Sequence, residues 1–224
     1  IERIQVFPSS RAALAALLVM TVACSGGPKP APRTTPVATP TGISREELDQ
    51  LWTRAMRQYR QGRWSKAATL FERVTLELPA GDSLVTEARF RLAECYFVQK
   101  NQPQAAREFR RVSDDTPNAA LAPEALLRAG DAYADLWRRP ELDDTYGQTA
   151  RSTYQELLNR YPDAPAAAKA RMRTTELEEF FAKKELKTAQ YYYRLKAYDS
   201  AIIYLKDLAA TYPRASVTPQ ALLK

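Results

Sequence analysis

The sequence contains no histidine among its 224 residues. Histidine is the commonest general base and zinc ligand, so its absence excludes every Ser/His and Cys/His nucleophile pair. The seven glycines form neither a GxGxxG nor a GxxxxGK[ST] phosphate loop. The paired carboxylates are adjacent in sequence, and helical neighbours point about 100° apart, so they do not converge on one substrate atom. We therefore expect a protein that is not an enzyme, with no metal site and no cofactor.

The sequence also lacks long runs of one charge. Its net charge is +7, but the basic residues occur in scattered pairs with Asp and Glu interspersed, and no basic run reaches five residues. This pattern predicts a mixed, solvated surface and no nucleic-acid partner. A modest attraction to anionic lipid headgroups remains open.

No apolar run near the N-terminus is long enough to span a bilayer. Residues 12–23 form an apolar stretch of 12 residues behind basic Arg3 and Arg11, whereas a spanning helix needs about 20. We therefore predict a signal peptide over 1–23.

The residues around Cys24 resemble the lipobox at which bacterial lipoproteins are cut and acylated. Val22 and Ala23 precede the cysteine, and Ser25 and two glycines follow it, although Thr21 stands where lipoproteins usually carry Leu. The resemblance implies a covalent lipid on Cys24, and Ser25 in place of Asp implies the outer membrane. The alternative is an ordinary secretory signal whose cysteine is incidental.

Residues 24–42 are rich in proline and threonine, with five prolines between Pro28 and Pro40. Proline at this density favours an extended, disordered tether, which at about 3 Å per residue reaches roughly 50 Å. Such a tether would hold a folded domain away from a membrane surface.

From Ser44 onward the pattern is helical, beginning with a capping box formed by Ser44 and Glu47. No alternating run of β-branched residues indicates a strand. Four later segments share one frame of small, large apolar and proline positions. The matched sets are Ala67, Ala105, Ala150 and Ala201; Phe71, Phe109, Tyr154 and Leu205; Val74, Val112, Leu157 and Leu208; Pro79, Pro117, Pro162 and Pro213; Ala55, Ala93, Gly130 and Ala189; and Tyr96, Tyr133 and Tyr192.

Each set has a mechanical reason. Small residues let two antiparallel helices approach closely, large apolar residues fill the gap beside them, and proline stops the second helix. The pattern is that of the tetratricopeptide repeat (TPR). We predict an all-α TPR superhelix of antiparallel helical hairpins over 43–224. The repeats are expected at about 48–79, 86–117, 123–162 and 170–213, with the start of a fifth at 218–224.

The repeats differ in length. The third carries an insertion over 136–147, which we expect to form a loop, and the first helix of the fourth is predicted from about Ala166 to Arg194. In the fifth, Thr218 is the expected N-cap and Pro219 the first helical residue. We interpret the chain as truncated at both ends, since it begins at Ile1 and stops inside this helix.

A TPR superhelix binds peptides or partner helices on its concave side, which the first helix of each pair lines. The frame places a predominantly aromatic set in the N-terminal half of this groove: Trp52, Met56, Tyr59, Arg60, Phe90, Glu94 and Phe97. Later groove positions are Leu127, Asp131 and Asp135, then Leu186, Gln190, Tyr193 and Arg194. The alternative is that the aromatic residues are covered by packing. Cys95, beside Ala93, is expected to be a buried thiol without a disulfide.

The whole arrangement resembles the BamD family of TPR lipoproteins of the outer-membrane β-barrel assembly (BAM) machine. The resemblance covers about 43–224 and lies in "RQGRWSKAATLFERVTLELP" (60–79), "AECYFVQKNQPQAAREFRRVSDDTP" (93–117), "ARSTYQELLNRYPDAPAAAKARMR" (150–173) and above all "AQYYYRLKAYDSAI" within 180–213. The "VAC" and the Pro/Thr tether add to it.

The resemblance implies an adaptor on the periplasmic face of the outer membrane. Its C-terminal repeats would hold a BamA-like β-barrel protein beside other BAM lipoproteins, with contacts expected at Gln190, Tyr193 and Arg194. Its N-terminal groove would receive the C-terminal peptides of unfolded outer-membrane proteins, which end in an aromatic residue.

Two alternatives remain open. One is another periplasmic TPR scaffold, such as the partner of the Tol-Pal system, although residues 25–42 lack the heptads expected there. The other is a peptidoglycan-binding module or an enzyme with an attached repeat domain, for which no catalytic constellation is present.

Overall fold

The structure is a computed structural model that describes residues 43–78 and 82–223. The predicted signal peptide, Cys24, the tether and Pro79 lie outside the described residues.

Within the described ranges the chain forms α-helices and no strands. The helices are α1 (Arg45–Arg60), α2 (Trp64–Glu77), α3 (Ser83–Val98), α4 (Gln102–Asp115), α5 (Ala122–Leu136), α6 (Thr145–Arg160), α7 (Pro165–Arg194), α8 (Tyr198–Thr211) and α9 (Thr218–Leu222). Each of the first eight pairs with its neighbour in a hairpin, and α3, α5 and α7 each pack on the preceding hairpin. The predicted all-α TPR architecture is confirmed.

The burial pattern follows the repeat frame. The alanines equivalent to Ala67 are at most 2% exposed in all four repeats, and the positions equivalent to Val74 at most 1%. Large apolar side chains beside them form consecutive cores, one per junction between hairpins. Prolines follow α4, α6 and α8 at the second residue beyond each helix, where the missing N–H and the ring prevent continuation.

Local hydrogen bonds help to define where the first helix, α1, and the last described helix, α9, begin. The capping box is present: the Glu47 amide donates to the Ser44 hydroxyl at 3.2 Å, and the Ser44 amide donates to the Glu47 carboxylate at 2.9 Å. The N-cap of α9 is Val217, so the prediction of Thr218 as N-cap is wrong. The Thr218 hydroxyl instead donates to the Tyr212 carbonyl at 2.6 Å, which draws Thr218 into the core.

The turns inside three hairpins share a left-handed residue. Gly62 has a φ of 69°, and Lys100 and Lys196 have φ values of 62° and 59°. A residue with a Cβ is strained in this region by about 1–2 kcal/mol, whereas glycine is not. The three hairpins therefore share the same left-handed turn, although Gly62 adopts it without strain and Lys100 and Lys196 do not.

The insertion of the third repeat is a loop over 137–144, shorter than predicted because Thr145 to Gly147 belong to α6. Trp137 is 3% exposed, and its ring packs edge-on against Phe180 and at a tilt against Phe181, with centroids 4.8 and 4.6 Å away. A Cβ added to Gly147 would lie 2.3 Å from this ring. The Trp137 ring thus occupies the space that a side chain at position 147 would need. The glycine therefore allows the loop and α6 to approach each other closely.

The same loop is held to the C-terminal half of α7 by polar contacts. Lys184 donates to the Leu142 carbonyl at 3.0 Å and lies 3.7 Å from the Asp144 carboxylate. Lys187 forms an ion pair with Glu141. The loop therefore clasps α7, the 30-residue helix whose far end carries the fourth-repeat residues predicted to bind a partner.

Candidate partner-binding surfaces

The aromatic residues of the first repeat form a compact cluster. Trp52 and Tyr59 meet Phe71 edge to face, with ring centroids 5.6 and 6.2 Å apart, and Tyr59 meets Trp64 at 5.3 Å. Phe71 is fully buried, whereas Trp52, Tyr59 and Trp64 are half-buried. Part of each of these three rings thus stabilises the core and part faces solvent.

Tyr59 also links α1 to α3. Its hydroxyl donates to the Glu94 carboxylate at 2.7 Å, and Arg91 donates to the same carboxylate at 3.0 Å. The Arg91 guanidinium lies 5.5 Å from the centre of the Tyr59 ring. Burial, followed by the bond to Glu94, raises the pKa of Tyr59. Two of the predicted groove residues, Tyr59 and Glu94, therefore form one hydrogen-bonded unit.

The remaining predicted groove residues are distributed differently. Phe90 is only 6% exposed and packs edge to face on Phe109 at 5.4 Å. It is a core residue of the second junction, so its expected place in an open groove is wrong. Phe97 is half-buried beneath Arg128, whose guanidinium lies 4.6 Å from the ring centre. Met56 is half-buried against the first core and Arg60 is exposed.

The structure brings Gln190, Tyr193 and Arg194 together. With Ala189 and Leu205 they line a depression of about 240 Å³ between the end of α7 and α8. Tyr193 is 60% exposed. Its ring meets Tyr198 edge to face at 5.6 Å, as Tyr59 meets Trp64 in the equivalent positions of the first repeat.

A second depression, of about 500 Å³, lies beside the first. Its walls are mainly α7 residues, together with Glu141 of the clasping loop. Gln190 and Arg194 line both depressions. The walls of the second depression combine three cations, Lys184, Lys187 and Arg194, with the rings of Tyr191 and Tyr192. Lys184 and Lys187 already pair with the clasping loop, so Arg194 is the cation left for a partner carboxylate, and the two tyrosine rings suit apolar side chains.

Several exposed apolar residues here were missed by sequence reasoning. Tyr191, Leu195, Tyr198, Ile202 and Ile203 are each between 48% and 58% exposed. A signal was present: the positions of Ile202 and Ile203 hold Ala68-Thr69, Ala106-Arg107 and Arg151-Ser152 in the other repeats. We refer to Gln190, Tyr191, Tyr193, Arg194, Leu195, Tyr198, Ile202 and Ile203 as the fourth-repeat surface. Its exposed apolar members lie on the last turn of α7, the connecting turn and α8, and large exposed apolar patches mark protein-binding sites.

Three further observations concern membrane-spanning helices, the buried cysteine and metal-ligating residues. Among the described helices, none combines the length and the apolar composition required to cross a bilayer. Cys95 is fully buried, as predicted, and burial raises its pKa to about 12. No cluster of metal-ligating side chains is found within 43–78 and 82–223.

The chain is similar to several proteins named outer membrane protein assembly factor BamD. It is 25% identical to that of Xylella fastidiosa strain 9a5c, over 75% of this chain and 61% of the relative. It is 24% identical to that of Vibrio cholerae, over 77% of this chain and 76% of the relative. It is 21% identical to that of Haemophilus influenzae, over 94% of this chain and 79% of the relative. The chain thus spans about three fifths of the Xylella protein and more of the other two.

Among solved structures, the chain is similar to TTC0263, a thermophilic TPR protein of Thermus thermophilus. The match has 19% identity and a TM-score of 0.41, and it covers 79% of this chain and all of that one.

The family described as "YfiO: Outer membrane lipoprotein" matches residues 45–224. This range is well over half of the chain and contains every helix described above. The chain therefore belongs to the YfiO, or BamD, family of outer membrane lipoproteins.

Proposed function

We propose that the protein is an outer-membrane protein assembly factor that acts as a non-enzymatic adaptor in a BAM-type complex. Its family and the name shared by its relatives support this role. Stacked hairpins also suit it, because repeat arrays offer extended surfaces for polypeptide partners without any reactive site.

The fourth-repeat surface is the observation that carries the proposal. Tyr193 and Arg194 place a large exposed ring and a cation side by side at the end of α7. Tyrosine and arginine are enriched among the residues that contribute most binding energy at protein interfaces. In our proposal this surface holds the periplasmic part of a BamA-like β-barrel protein, beside other lipoproteins of the complex.

The clasping loop supports this assignment, because it fixes the helix that presents the surface. Trp137 anchors the loop under Phe180 and Phe181, and Lys184 and Lys187 tie it to α7 one to two turns before Gln190. A binding surface on a rigid element loses less conformational entropy on association than a mobile one.

The second part of the proposal concerns clients. The exposed parts of Trp52, Met56, Tyr59 and Phe97, with Glu94 and Arg60 near them, would receive the C-terminal peptide of an unfolded outer-membrane protein. Since Phe90 belongs to the core, this receptor is shallower than a continuous aromatic groove. We expect the terminal aromatic ring of the peptide to pack on the cluster around Tyr59.

The third part concerns location. Acylation of Cys24 would anchor the protein at the periplasmic face of the outer membrane, with 25–42 as the tether. Mass spectrometry of the mature N-terminus tests this directly. A diacylglyceryl or triacyl adduct on Cys24 is expected, and an unmodified chain that starts elsewhere would remove the anchor from the proposal.

Capture from detergent-solubilised envelopes tests the partner surface. The parent chain should recover a large β-barrel protein with periplasmic repeats, identified by mass spectrometry. A Tyr193→Ala, Arg194→Ala variant should lose most of it. The matched control is Tyr146→Ala, Arg139→Ala, since both of its residues are exposed and lie outside the fourth-repeat surface. Recovery of a Tol component or of glycan strands instead would refute the proposal.

Peptide binding tests the client receptor. A fluorescent peptide that ends in Phe should bind the parent chain more tightly than the same peptide ending in Ala. A Tyr59→Ala, Phe97→Ala double variant should abolish this difference, whereas Val98→Ala, an exposed neighbour, should retain it. Unchanged binding by the double variant would exclude this receptor.

A further inference from the structure

The first hairpin carries a short segment with cations only. Between residues 54 and 66 the sequence has no Asp or Glu, although it has five basic residues. We call these residues the basic segment: Arg54, Arg57, Arg60, Arg63 and Lys66. All five are exposed.

The basic segment is not neutralised by neighbouring acids. Within residues 43–78 and 82–223, none of its members forms a salt bridge, and the one side-chain hydrogen bond is Arg54 Nε donating to the Gln50 carbonyl at 3.3 Å. Asp49 lines a shallow depression with Arg54 and Arg57 but forms no ion pair with them. Other exposed cations, such as Arg138 and Lys183, also form no salt bridge within the described residues, so the distinguishing feature of the basic segment is that five such cations follow one another with no acidic residue between them.

Helix stability does not account for these charges. Arg54, Arg57 and Arg60 are spaced three residues apart, which places neighbouring members close together on α1, where like charges repel. The helix dipole favours Arg57 and Arg60 at the C-terminus of α1.

The dipole disfavours the other two cations. Arg63 is the N-cap of α2 and Lys66 lies in its first turn, which contains no acidic residue. Cations at a helix N-terminus are destabilising because that end is already partly positive. Arg63 and Lys66 therefore lower the stability of the free protein, and a bound external anion would offset this loss.

The arrangement of the side chains in the basic segment indicates what kind of anion it would bind. Its side chains spread over the last two turns of α1, the connecting turn and the first turn of α2. Arginine and lysine head groups on long stems, distributed in this way, suit a planar array of phosphates better than one small ion. Trp64, half-buried and adjacent to Arg63, adds an amphipathic ring of the type found at bilayer interfaces.

We propose that the basic segment is a contact surface for anionic phospholipid headgroups, which holds the first repeat against the membrane. In one respect this rests on the proposed function, namely that the protein works at a membrane surface. The expected lengths permit it: α1 is about 24 Å long at 1.5 Å per residue, and the tether predicted for 24–42 would reach roughly 50 Å if extended. The basic segment would then add to the lipid anchor a second attachment that sets the orientation of the repeats.

Vesicle flotation tests the proposal. The full chain with Cys24→Ser is used, so that no acyl chain contributes, on vesicles of phosphatidylglycerol with phosphatidylcholine and of phosphatidylcholine alone. Each cation near an anionic surface contributes about fivefold in partitioning, so Arg54→Gln, Arg57→Gln, Arg63→Gln should weaken binding to the anionic vesicles by roughly 100-fold. Binding should also fall steeply with salt.

The matched control removes three cations elsewhere: Arg138→Gln, Arg139→Gln, Lys183→Gln. These residues are exposed and form no salt bridge within the described part of the chain. The control triple variant should keep most of the binding, and circular dichroism should show both triple variants folded.

Three results would overturn the proposal. The first is an equal loss of vesicle binding in the two triple variants, which would mean that only net charge matters, and the second is no preference for anionic vesicles. The third concerns binding to polyglutamate, measured in parallel: its loss in the first triple variant without loss of vesicle binding would indicate an acidic protein partner. Failure here is separable from failure of the proposed function. The first triple variant should still capture the β-barrel partner through the fourth-repeat surface.

Discussion

The contact between Trp137 and Gly147 leads to a prediction in which one substitution changes sign. Alanine normally stabilises a helix relative to glycine by up to about 1 kcal/mol. At position 147, however, the new Cβ would lie 2.3 Å from the tryptophan ring, where ordinary contacts are 3.4–4 Å. The ring cannot move easily, because Phe180 and Phe181 pack on it and its Nε1 donates to the Leu142 carbonyl at 3.4 Å.

The magnitudes follow from the two effects. Overpacking costs about 1–3 kcal/mol, which exceeds the helix-propensity gain, so Gly147→Ala should lower the free energy of unfolding by about 1–2 kcal/mol. Trp137→Ala should lower it by about 3–5 kcal/mol. In the Trp137→Ala chain the obstacle is gone, so adding Gly147→Ala should raise the free energy of unfolding by about 0.5–1 kcal/mol. The coupling between the two sites is then about 1.5–3 kcal/mol.

Urea denaturation followed by far-UV circular dichroism measures all four chains. Repeat proteins can unfold in parts, so the comparison requires equal dependence on urea in each chain. Gly130→Ala is the control, because its Cβ would meet the ring of Tyr154 at 2.3 Å and not that of Trp137. It should destabilise both backgrounds. A stabilising Gly147→Ala in the parent chain would refute the reasoning.

Three further predictions concern single residues. Lys100→Gly and Lys196→Gly should each raise the free energy of unfolding by about 0.5–1 kcal/mol, since glycine relieves left-handed strain at some entropic cost; Ala at either position should bring no gain. The Cys95 thiol, with its pKa near 12 and full burial, should react with a thiol reagent only on unfolding, measured in a Cys24→Ser chain. Burial raises the pKa of Asp131 above 3.8, despite the Tyr154 and Arg173 contacts that lower it. Relative to Asp131→Asn, the parent chain should therefore lose stability as pH rises through the folded-state pKa, in urea titrations from about pH 4 to neutrality.

Each of these has a result that would contradict it. Equal effects of Gly and Ala at Lys100 would mean that the turn is unstrained. Rapid labelling of Cys95 in the folded chain would mean that the first core opens locally at low cost. A difference between parent and Asp131→Asn chains that does not vary with pH would mean that the carboxyl titrates alike in the folded and unfolded states.

Sequence reasoning was most reliable where one residue type has one mechanical role. The alanines of the frame, the valines and leucines beside them and the terminating prolines predicted the hairpins, since close helix approach and helix termination depend on local chemistry. It was less reliable for large aromatic residues. Phe90 and Phe97 are both on α3, yet one is core and the other lies half-exposed beneath Arg128.

The sequence by itself determined the order of the helices and the repeat frame, because these depend on spacings that repeat along the chain. The resemblance to the family rested instead on particular motifs, above all "AQYYYRLKAYDSAI" within 180–213. Only the tertiary structure decided which side chains remain accessible. Trp137 fills the space beside Gly147 from a loop that no periodicity describes, and Tyr59 is joined to Glu94 across 35 residues. The tertiary structure likewise decides that the cations of α1 form no salt bridge with another described residue, whereas Arg110 and Arg160 pair with Glu156. Accessibility and ion pairing depend on which neighbour lies opposite, and that is set by the stacking of one hairpin on the next.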